Sequence, residues 1–308
     1  MRNPHFDDNR VLWNDSYSGE YEPVPYDVQF DDQWRFFLEK RTGFTRHTGV
    51  ELKDPWIDRL IYALTGEDNF LLKKRYGFFH FIPLLGRFLT GTSAKRLSIG
   101  GELHLEPKFP VDFFINKDCL DVGCGAGRWS KTLNALGANV TAIDVSKHGL
   151  ESTKRIIPDV RKLSIFDIKT AQPSLKHKFD FTLCWGVIMC THDPLLAFEN
   201  VASTIKDDGK LYIMVYAPGY HDSDEIIQLR RKYFNSCHSI NEKLEFAYNI
   251  AGDIKNTINY LDMLNTFYNW VIDENTIMGW AERFGFRKIQ FLNKNEPYKC
   301  AHHVLLEK

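Results

Sequence analysis

Between residues 118 and 217, short apolar runs alternate with longer stretches in which apolar positions recur every three or four residues. The first pattern is typical of buried strands and the second of amphipathic helices. The predicted strands are 118–122, 139–144, 163–166, 181–185 and 210–216, and the predicted helices between them are about 127–136, 146–156 and 194–205. Such alternation predicts a parallel sheet with helices on both faces and a ligand crevice at the carboxyl ends of the strands.

The pattern differs on either side of this segment. Residues 1 to about 30 have little periodicity and predict an extended arm, whereas helical spacing begins at Asp31 and returns after Asp54-Pro55. After Pro218 the spacing predicts a helical insertion, followed by the final elements, a helix over 276–284 and strands over 287–292 and 301–306. We therefore expect an N-terminal arm and helical cap over 1–100, and an α/β domain over 101–308 with the insertion at about 219–270.

A glycine-rich turn follows the first predicted strand. The segment 121–127 reads D-V-G-C-G-A-G, in which glycines allow close approach to a ligand and the next helix presents free N–H groups to an anion. Asp144 ends the second strand, where a carboxylate can accept two ribose hydroxyls; the alternative is a helix cap before Ser146. Arg128 stands where the dinucleotide fingerprint requires its third glycine, which argues against a nicotinamide dehydrogenase.

Two further motifs follow in order, F-D-F at 179–181 and I-K-D-D-G at 205–209. With these motifs, the chain resembles the class I S-adenosylmethionine-dependent methyltransferases from about Lys117 to Ala217. The resemblance implies a doubly wound, mostly parallel seven-stranded sheet whose final strand is antiparallel, here with the N-terminal cap and with the insertion after strand five. It also implies S-adenosylmethionine as the cofactor.

The resemblance implies a set of cofactor-binding residues, in which the glycines wrap the methionine end, Asp121 lies near its ammonium group and Asp144 holds the ribose. Asp167 accepts from the adenine amino group, or is an ordinary turn residue. Trp185 lies beside the sulfonium, or packs the end of the sheet. The full set is Asp121, Gly123, Gly125, Gly127, Asp144, Val145, Phe166, Asp167, Ile168 and Trp185.

The acceptor side is less strongly patterned. Related enzymes often carry G-V-L-H-H-T-x-D-P after strand four, and this chain has Met189 and Cys190 at the two histidine positions, so the roles of those histidines do not transfer. Our candidate catalytic residues are His221, after strand five, and Tyr260, in an aromatic and polar stretch that includes Asp262. The alternative for this stretch is a packed helix face.

Composition restricts the partners. The net charge of −1 gives no overall basic surplus for nucleic acid, and six cysteines without a C-x-x-C pair indicate reduced thiols. We expect no metal site, because His302 and His303 fall on a predicted edge strand, where adjacent side chains face opposite ways. No signal peptide or membrane-spanning run is evident, so a cytoplasmic protein is expected.

These observations predict a methyltransferase that modifies an oxygen or nitrogen of a small molecule or of a carbohydrate or metabolite conjugate. A first alternative is a tRNA or protein methyltransferase that uses the basic groups 73–75, 95–96 and 230–232. A second is a non-catalytic protein that keeps the fold as a scaffold. Residues 73–89, aromatic and basic, form a lid, a core element or a membrane-surface segment. The sequence does not indicate the oligomeric state.

Overall fold

The structure is a computed structural model that describes residues 26–39, 54–76, 106–294, 296 and 300–308. Most of the expected N-terminal arm, the second basic group at 95–96 and the part of 73–89 beyond Tyr76 lie outside these residues. None of the described helices is long and apolar enough to cross a membrane.

The described elements follow the predicted alternation closely. The helices are α1 (Tyr26–Glu39), α2 (Asp54–Thr65), α3 (Phe70–Tyr76), α4 (Arg128–Ala135), α5 (Lys147–Thr153), α6 (Ile168–Ala171), α7 (Pro194–Ala202), α8 (Asp224–Ser236), α9 (Ile240–Ala251), α10 (Ile254–Asn265) and α11 (Glu274–Arg283). The strands are β1 (Asp118–Val122), β2 (Asn139–Asp144), β3 (Asp159–Lys162), β4 (Phe179–Trp185), β5 (Ile205–Tyr216), β6 (Lys288–Phe291) and β7 (Ala301–Glu307).

The strands form one seven-stranded sheet in the order β3-β2-β1-β4-β5-β7-β6. The first five are parallel, and β7 runs antiparallel to both β5 and β6. The predicted doubly wound sheet with an antiparallel final strand is therefore confirmed. The order reverses between β1 and β4, so the crevice predicted for this topology opens at their carboxyl ends.

Both faces of the central strands are buried, because helices cover the sheet on each side. Leu120 and Ile213 contribute to one apolar cluster, whereas Cys119, Phe181 and Tyr212 contribute to the other. The second cluster also takes in apolar side chains of α2 and a group of edge-to-face phenylalanine rings. The α2 residues are Ile57, Leu60, Ile61 and Leu64, and the rings are Phe109, Phe114 and Phe181.

Two sequence predictions about strands were wrong. The third strand is Asp159–Lys162, not 163–166, and residues 165–167 form a short 3₁₀ turn. Among the described strands its only neighbour is β2, and none of its residues is buried, so it lacks the apolar run that marks a core strand. The other error concerns His302 and His303, which lie on β7 between β5 and β6, and not at a sheet edge; both are buried.

Helices α8, α9 and α10 fall within the segment predicted to be an insertion, and we keep that name for them. They have an apolar cluster of their own that includes Tyr233, Leu261 and Leu264. Arg230 is buried in this region at 1% exposure. Its Nη1 donates to the Met263 carbonyl at 2.7 Å, and its Nη2 donates to the Thr266 carbonyl. A buried guanidinium thus satisfies carbonyls at the carboxyl end of α10, where the helix dipole favours a cation. Arg230 is therefore not part of the basic surface considered for nucleic acid.

We expect Arg230→Met to destabilise the protein by about 3 kcal/mol, because it leaves buried carbonyls without donors while keeping much of the side-chain volume. Urea unfolding followed by circular dichroism measures the change. Lys232→Ala, two residues away and exposed, serves as the control and should change stability by less than about 0.5 kcal/mol. Equal effects of the two substitutions would contradict a capping role for Arg230.

Candidate cofactor and acceptor site

The turn after β1 requires glycine at three positions. Gly123, Gly125 and Gly127 have φ values of 69°, 52° and 85°. A Cβ on Gly123 would lie 2.2 Å from Val187 Cγ2, and one on Gly125 would lie 2.2 Å from Trp34 Cζ2. The backbone conformation and these close contacts both exclude a larger residue. Trp34 belongs to α1, so the N-terminal helix lies directly against the turn.

Asp144 joins this turn to the next one. Its Oδ2 accepts a hydrogen bond from the Gly125 amide at 2.8 Å, and its Oδ1 accepts from the Ser146 amide at 2.7 Å. Burial raises the pKa of this carboxyl, and the amides of Ser146, Gly125 and Val145 oppose that rise. The cap of α5 is Ser146, whose hydroxyl accepts from the Gly149 amide at 3.0 Å. Each Asp144 oxygen retains a lone pair with which it can accept a further hydroxyl.

Asp121 lies behind the turn at 2% exposure. The Ser130 hydroxyl donates to its Oδ2 at 2.6 Å. Burial raises the pKa of Asp121 to about 6; the hydrogen bond from Ser130 opposes the rise, and the nearby Asp144 charge adds to it. The charge of this buried carboxylate lowers the stability of the protein when no cofactor is bound.

A cavity opens at the carboxyl ends of β1, β2, β4 and β5. Its first half, beside the glycine turn, is lined by Gly123, Asp144, Val145, Leu163, Ile165 and Trp185. Its second half, toward the insertion, is lined by Met189, Cys190, Met214, Tyr216, Asp262 and Thr266. Phe30, Gln33 and Trp34 of α1 form a wall. We call the first half the cofactor half and the second the acceptor half.

The structure brings part of the predicted cofactor set to this cavity. Gly123, Asp144, Val145 and Trp185 line it, while Asp121, Gly125 and Gly127 do not. Phe166, Asp167 and Ile168 also do not line it: the Phe166 ring lies 4.2 Å from that of His192, Ile168 is fully buried, and Asp167 precedes α6. Leu163 and Ile165 line it instead. The apolar run at 163–166 is their signal in the sequence, where it predicts a strand.

Neither predicted catalytic residue lines the cavity. His221 is buried and stacks on Tyr216 at 3.6 Å between ring centroids; burial, followed by the charge of Arg230, lowers its pKa to about 3. Tyr260 is half-buried against the core of the insertion. A catalytic role for either stays a prediction. Asp262, two residues beyond Tyr260, does line the cavity.

Sequence reasoning missed the contribution of α1. Phe30, Gln33 and Trp34 occupy positions i, i+3 and i+4, which place them on one face of the helix. Their spacing was a usable signal for an amphipathic helix, but nothing in it indicated which part of the protein that face contacts.

Comparison with known proteins agrees with this geometry. A family model described as a methyltransferase domain matches residues 102–290, more than half of the chain. The chain belongs to this methyltransferase family. With its glycine turn and sheet order, it is a class I S-adenosylmethionine-dependent methyltransferase, an enzyme whose cofactor is S-adenosylmethionine.

Similar proteins were found by sequence and by structure. The ubiquinone biosynthesis O-methyltransferase of Xanthomonas campestris pv. campestris (strain B100) is 36% identical over 102 residues, which is 30% of this chain and 41% of that protein. The chain thus matches about two-fifths of the length of this relative. Among solved structures, a methyltransferase from Archaeoglobus fulgidus aligns with a TM-score of 0.42 and 14% identity, covering 64% of this chain and 88% of that one. Magnesium protoporphyrin IX methyltransferase from Synechocystis PCC 6803 aligns with a TM-score of 0.39 and 14% identity, covering 64% and 76%.

The residues of this methyltransferase fit its cofactor. Asp144 is a buried carboxylate on the cavity wall, the kind of group that holds a ribose diol. Val145, Leu163 and Ile165 provide an apolar surface suited to a base, and Trp185 offers an aromatic face to a sulfonium cation. We therefore propose that these residues of the cofactor half bind S-adenosylmethionine.

We expect Asp144→Ala to weaken binding of S-adenosylhomocysteine by about 100-fold or more, since it removes a charged acceptor from the ribose. Calorimetric titration measures this loss. Asp159→Ala, which removes a carboxylate of β3 outside the cavity, should leave affinity unchanged. Melting curves must show that both variants are folded. Unaltered affinity in folded Asp144→Ala would remove Asp144 from the site.

Because the pKa of Asp121 is raised, we expect Asp121→Asn to increase the stability of the protein by an amount that depends on pH. Between about pH 4 and 6 the folded protein binds more protons at this carboxyl than the unfolded chain, so stability falls as pH rises through that window. The variant lacks this cost, and we expect it to be more stable than wild type at pH 8, by on the order of 2 kcal/mol, with little difference at pH 4. Chemical unfolding at both pH values tests this. Ser130→Ala, which removes the hydroxyl donor, should instead lower stability at pH 8.

Proposed function

We propose that this enzyme methylates a hydroxyl group on a small, uncharged aromatic acceptor. The observation that carries the proposal is the composition of the acceptor half, in which one carboxylate, Asp262, stands among sulfur-containing and aromatic side chains. Met189 and Met214 supply polarisable thioethers, and Tyr216 supplies a ring. Such side chains suit a planar apolar body, and a single carboxylate suits one reacting hydroxyl.

When bound, S-adenosylmethionine supplies an electrophilic methyl group. The protein must hold the acceptor oxygen in line with that group and remove its proton, because an oxygen that gains a methyl carbon must lose hydrogen. Asp262 is suited to take that proton: the hydroxyl O–H bond breaks and the carboxylate becomes a carboxylic acid. The O–CH₃ bond would form as the S–CH₃ bond of the donor breaks, with that electron pair left on the sulfur of S-adenosylhomocysteine. Asp262 is exposed to solvent at the rim of the cavity, so it can return the proton to water.

Charge in the cavity argues against an anionic acceptor. Among the described lining residues, the only lysine or arginine is Arg128. Its guanidinium carbon lies 5.6 Å from the ring centroid of Trp129 and 5.8 Å from that of Trp185, at the start of α4 and therefore on the cofactor side. The described acceptor half thus offers no cation to a phosphate or carboxylate. This supports a small molecule over RNA as the acceptor, as does the burial of Arg230.

The sequence relatives support oxygen as the acceptor atom. The Xanthomonas proteins are named as O-methyltransferases of ubiquinone biosynthesis. Because the match covers 41% of the Xanthomonas campestris protein, it supports the type of chemistry more than any particular acceptor.

We expect purified enzyme to methylate phenols or catechols in a screen that also contains primary amines and carboxylic acids, with S-adenosylhomocysteine formation as the signal. Asp262→Asn should lower kcat by about 100-fold or more, because the amide cannot take the proton, and should leave affinity for S-adenosylhomocysteine unchanged. Glu245→Gln, which neutralises an exposed carboxylate on the insertion away from the cavity, is the matched control and should be as active as wild type. Methylation of amines alone, or full activity of Asp262→Asn, would refute the proposal.

A further inference from the structure

Helix α1 lies outside the residues that the family model matches, 102–290, yet it forms a wall of the cavity. It is attached to both halves of the site. On the cofactor side, Asp31 Oδ1 accepts from the Ser146 hydroxyl at 3.0 Å and from the His148 amide at 3.1 Å. On the acceptor side, Gln29 and Gln33 bind the end of α10 and the residues that follow it.

Gln33 makes the contact that matters for chemistry. Its side chain is 3% exposed, and its Nε2 donates to Asp262 Oδ1 at 2.7 Å. Its Oε1 accepts from Asn265 Nδ2 at 3.2 Å. The oxygen of Asn265 in turn accepts from Lys243 Nζ at 3.2 Å and from the Tyr233 hydroxyl at 3.0 Å. The hydrogen bonds therefore run in one direction, from the cation of Lys243 to the carboxylate of Asp262.

This direction is determined by the partners at each end. Asn265 must present its oxygen to Lys243, since an ammonium group only donates. The NH₂ group of Asn265 then donates to the side-chain oxygen of Gln33. The NH₂ group of Gln33 is therefore left to donate to Asp262. A donated hydrogen bond favours the charged form of a carboxyl group. The arrangement is thus suited to a carboxylate and unsuited to a cationic or donor residue at position 262.

Other charged and titratable groups surround the same carboxylate. Burial raises the pKa of the Cys190 thiol to about 12, and the charge of Asp262 adds to that rise. Burial also raises the pKa of the Tyr216 phenol well above its usual value, with smaller contributions from Cys190 and then from Asp262. Both effects place the carboxylate near these two groups. Arg230 acts on both in the opposite sense. Because burial is the larger effect, the Cys190 thiol and the Tyr216 phenol stay neutral, and Asp262 is the charged group on this wall.

We infer that Gln33 is a positioning residue for Asp262, so that the N-terminal helix completes the active site of this methyltransferase. The inference rests on the proposed function insofar as Asp262 takes the acceptor's proton. Gln33 holds one carboxylate oxygen, favours its charged form and links it to the cofactor side through the rest of α1. Loss of Gln33 should therefore impair proton removal more than cofactor binding.

Gln29 provides a matched control. It lies one turn earlier on α1 and is 8% exposed. Its Nε2 donates to the Asn265 carbonyl at 2.9 Å, and its Oε1 accepts from the Phe267 amide at 3.0 Å. Gln29 therefore anchors the same helix to the same region with two hydrogen bonds, but it does not bind Asp262.

The test compares Gln33→Met with Gln29→Met in the full chain, because methionine keeps the volume and removes both hydrogen bonds. Carboxyl ¹³C NMR of aspartate-labelled protein, without any acceptor, follows the titration of Asp262, which is identified as the resonance missing from Asp262→Asn. We expect the midpoint to rise by about half a pH unit or more in Gln33→Met and to stay in place in Gln29→Met. In turnover, the acidic limb of the kcat profile should move to higher pH by the same amount, with affinity for S-adenosylhomocysteine unchanged.

An unchanged midpoint in Gln33→Met would overturn the inference, and so would equal shifts in both variants, because the effect would then come from packing of the helix. If Gln33→Met does not fold, Gln33→Glu replaces the donor with a like charge and should raise the midpoint further. The NMR measurement does not depend on the acceptor. A shifted midpoint in a protein that methylates no hydroxyl would therefore support the role of Gln33 and refute the proposed function. Loss of activity in Asp262→Asn, without a shifted midpoint in Gln33→Met, would support the proposed function and overturn the inference about Gln33.

Discussion

One buried carboxylate connects the two loops on which the cofactor half depends. Asp144 binds the amide of Gly125 with one oxygen and that of Ser146 with the other, at 2.8 and 2.7 Å. These amides lie in the turns after β1 and after β2, so the turns cannot move independently without exposing a buried charge. Burying that charge is unfavourable, and the two amide donors offset part of the cost. The geometry of the cofactor half is thus set before any ligand binds.

The acceptor half has a different origin. Its polar wall comes from α10, which the insertion contributes, and from α1, which precedes the family match. The buried side chains that join them, Gln29 and Gln33, are separated in sequence from their partners by more than 220 residues. Amide side chains suit this task because each can donate and accept at once, so one residue satisfies two partners across an interface. The acceptor half therefore depends on the folding of both attached segments.

Much of the sheet and the cofactor half could be predicted from sequence, because their signals are local. The limits of β1 and β2 follow directly from their apolar runs, and Asp144 ends its strand as expected. The third strand could not be predicted this way, since Asp159–Lys162 has no buried residue and takes its conformation from pairing with β2. The apolar run that follows it, which includes Leu163 and Ile165, is apolar because it lines the cavity and packs against the core. In this part of the chain, an apolar run therefore does not mark the strand.

The acceptor half was harder to predict for a physical reason. A stretch such as 259–270 has mixed aromatic and polar residues whether it packs inward or lines a pocket. The sequence predicts Tyr260 as a catalytic residue, whereas Asp262 is the residue that lines the cavity. The two residues differ by about 200° around a helix, so a rotation that the pattern does not specify decides which one meets the acceptor. The structure supplies that rotation through packing: Leu261 and Leu264 are buried in the insertion, while Asp262 is held by Gln33. The side chain that α10 presents to the cavity therefore depends on the rotation of the helix, which the packing of Leu261 and Leu264 and the contact with Gln33 fix together.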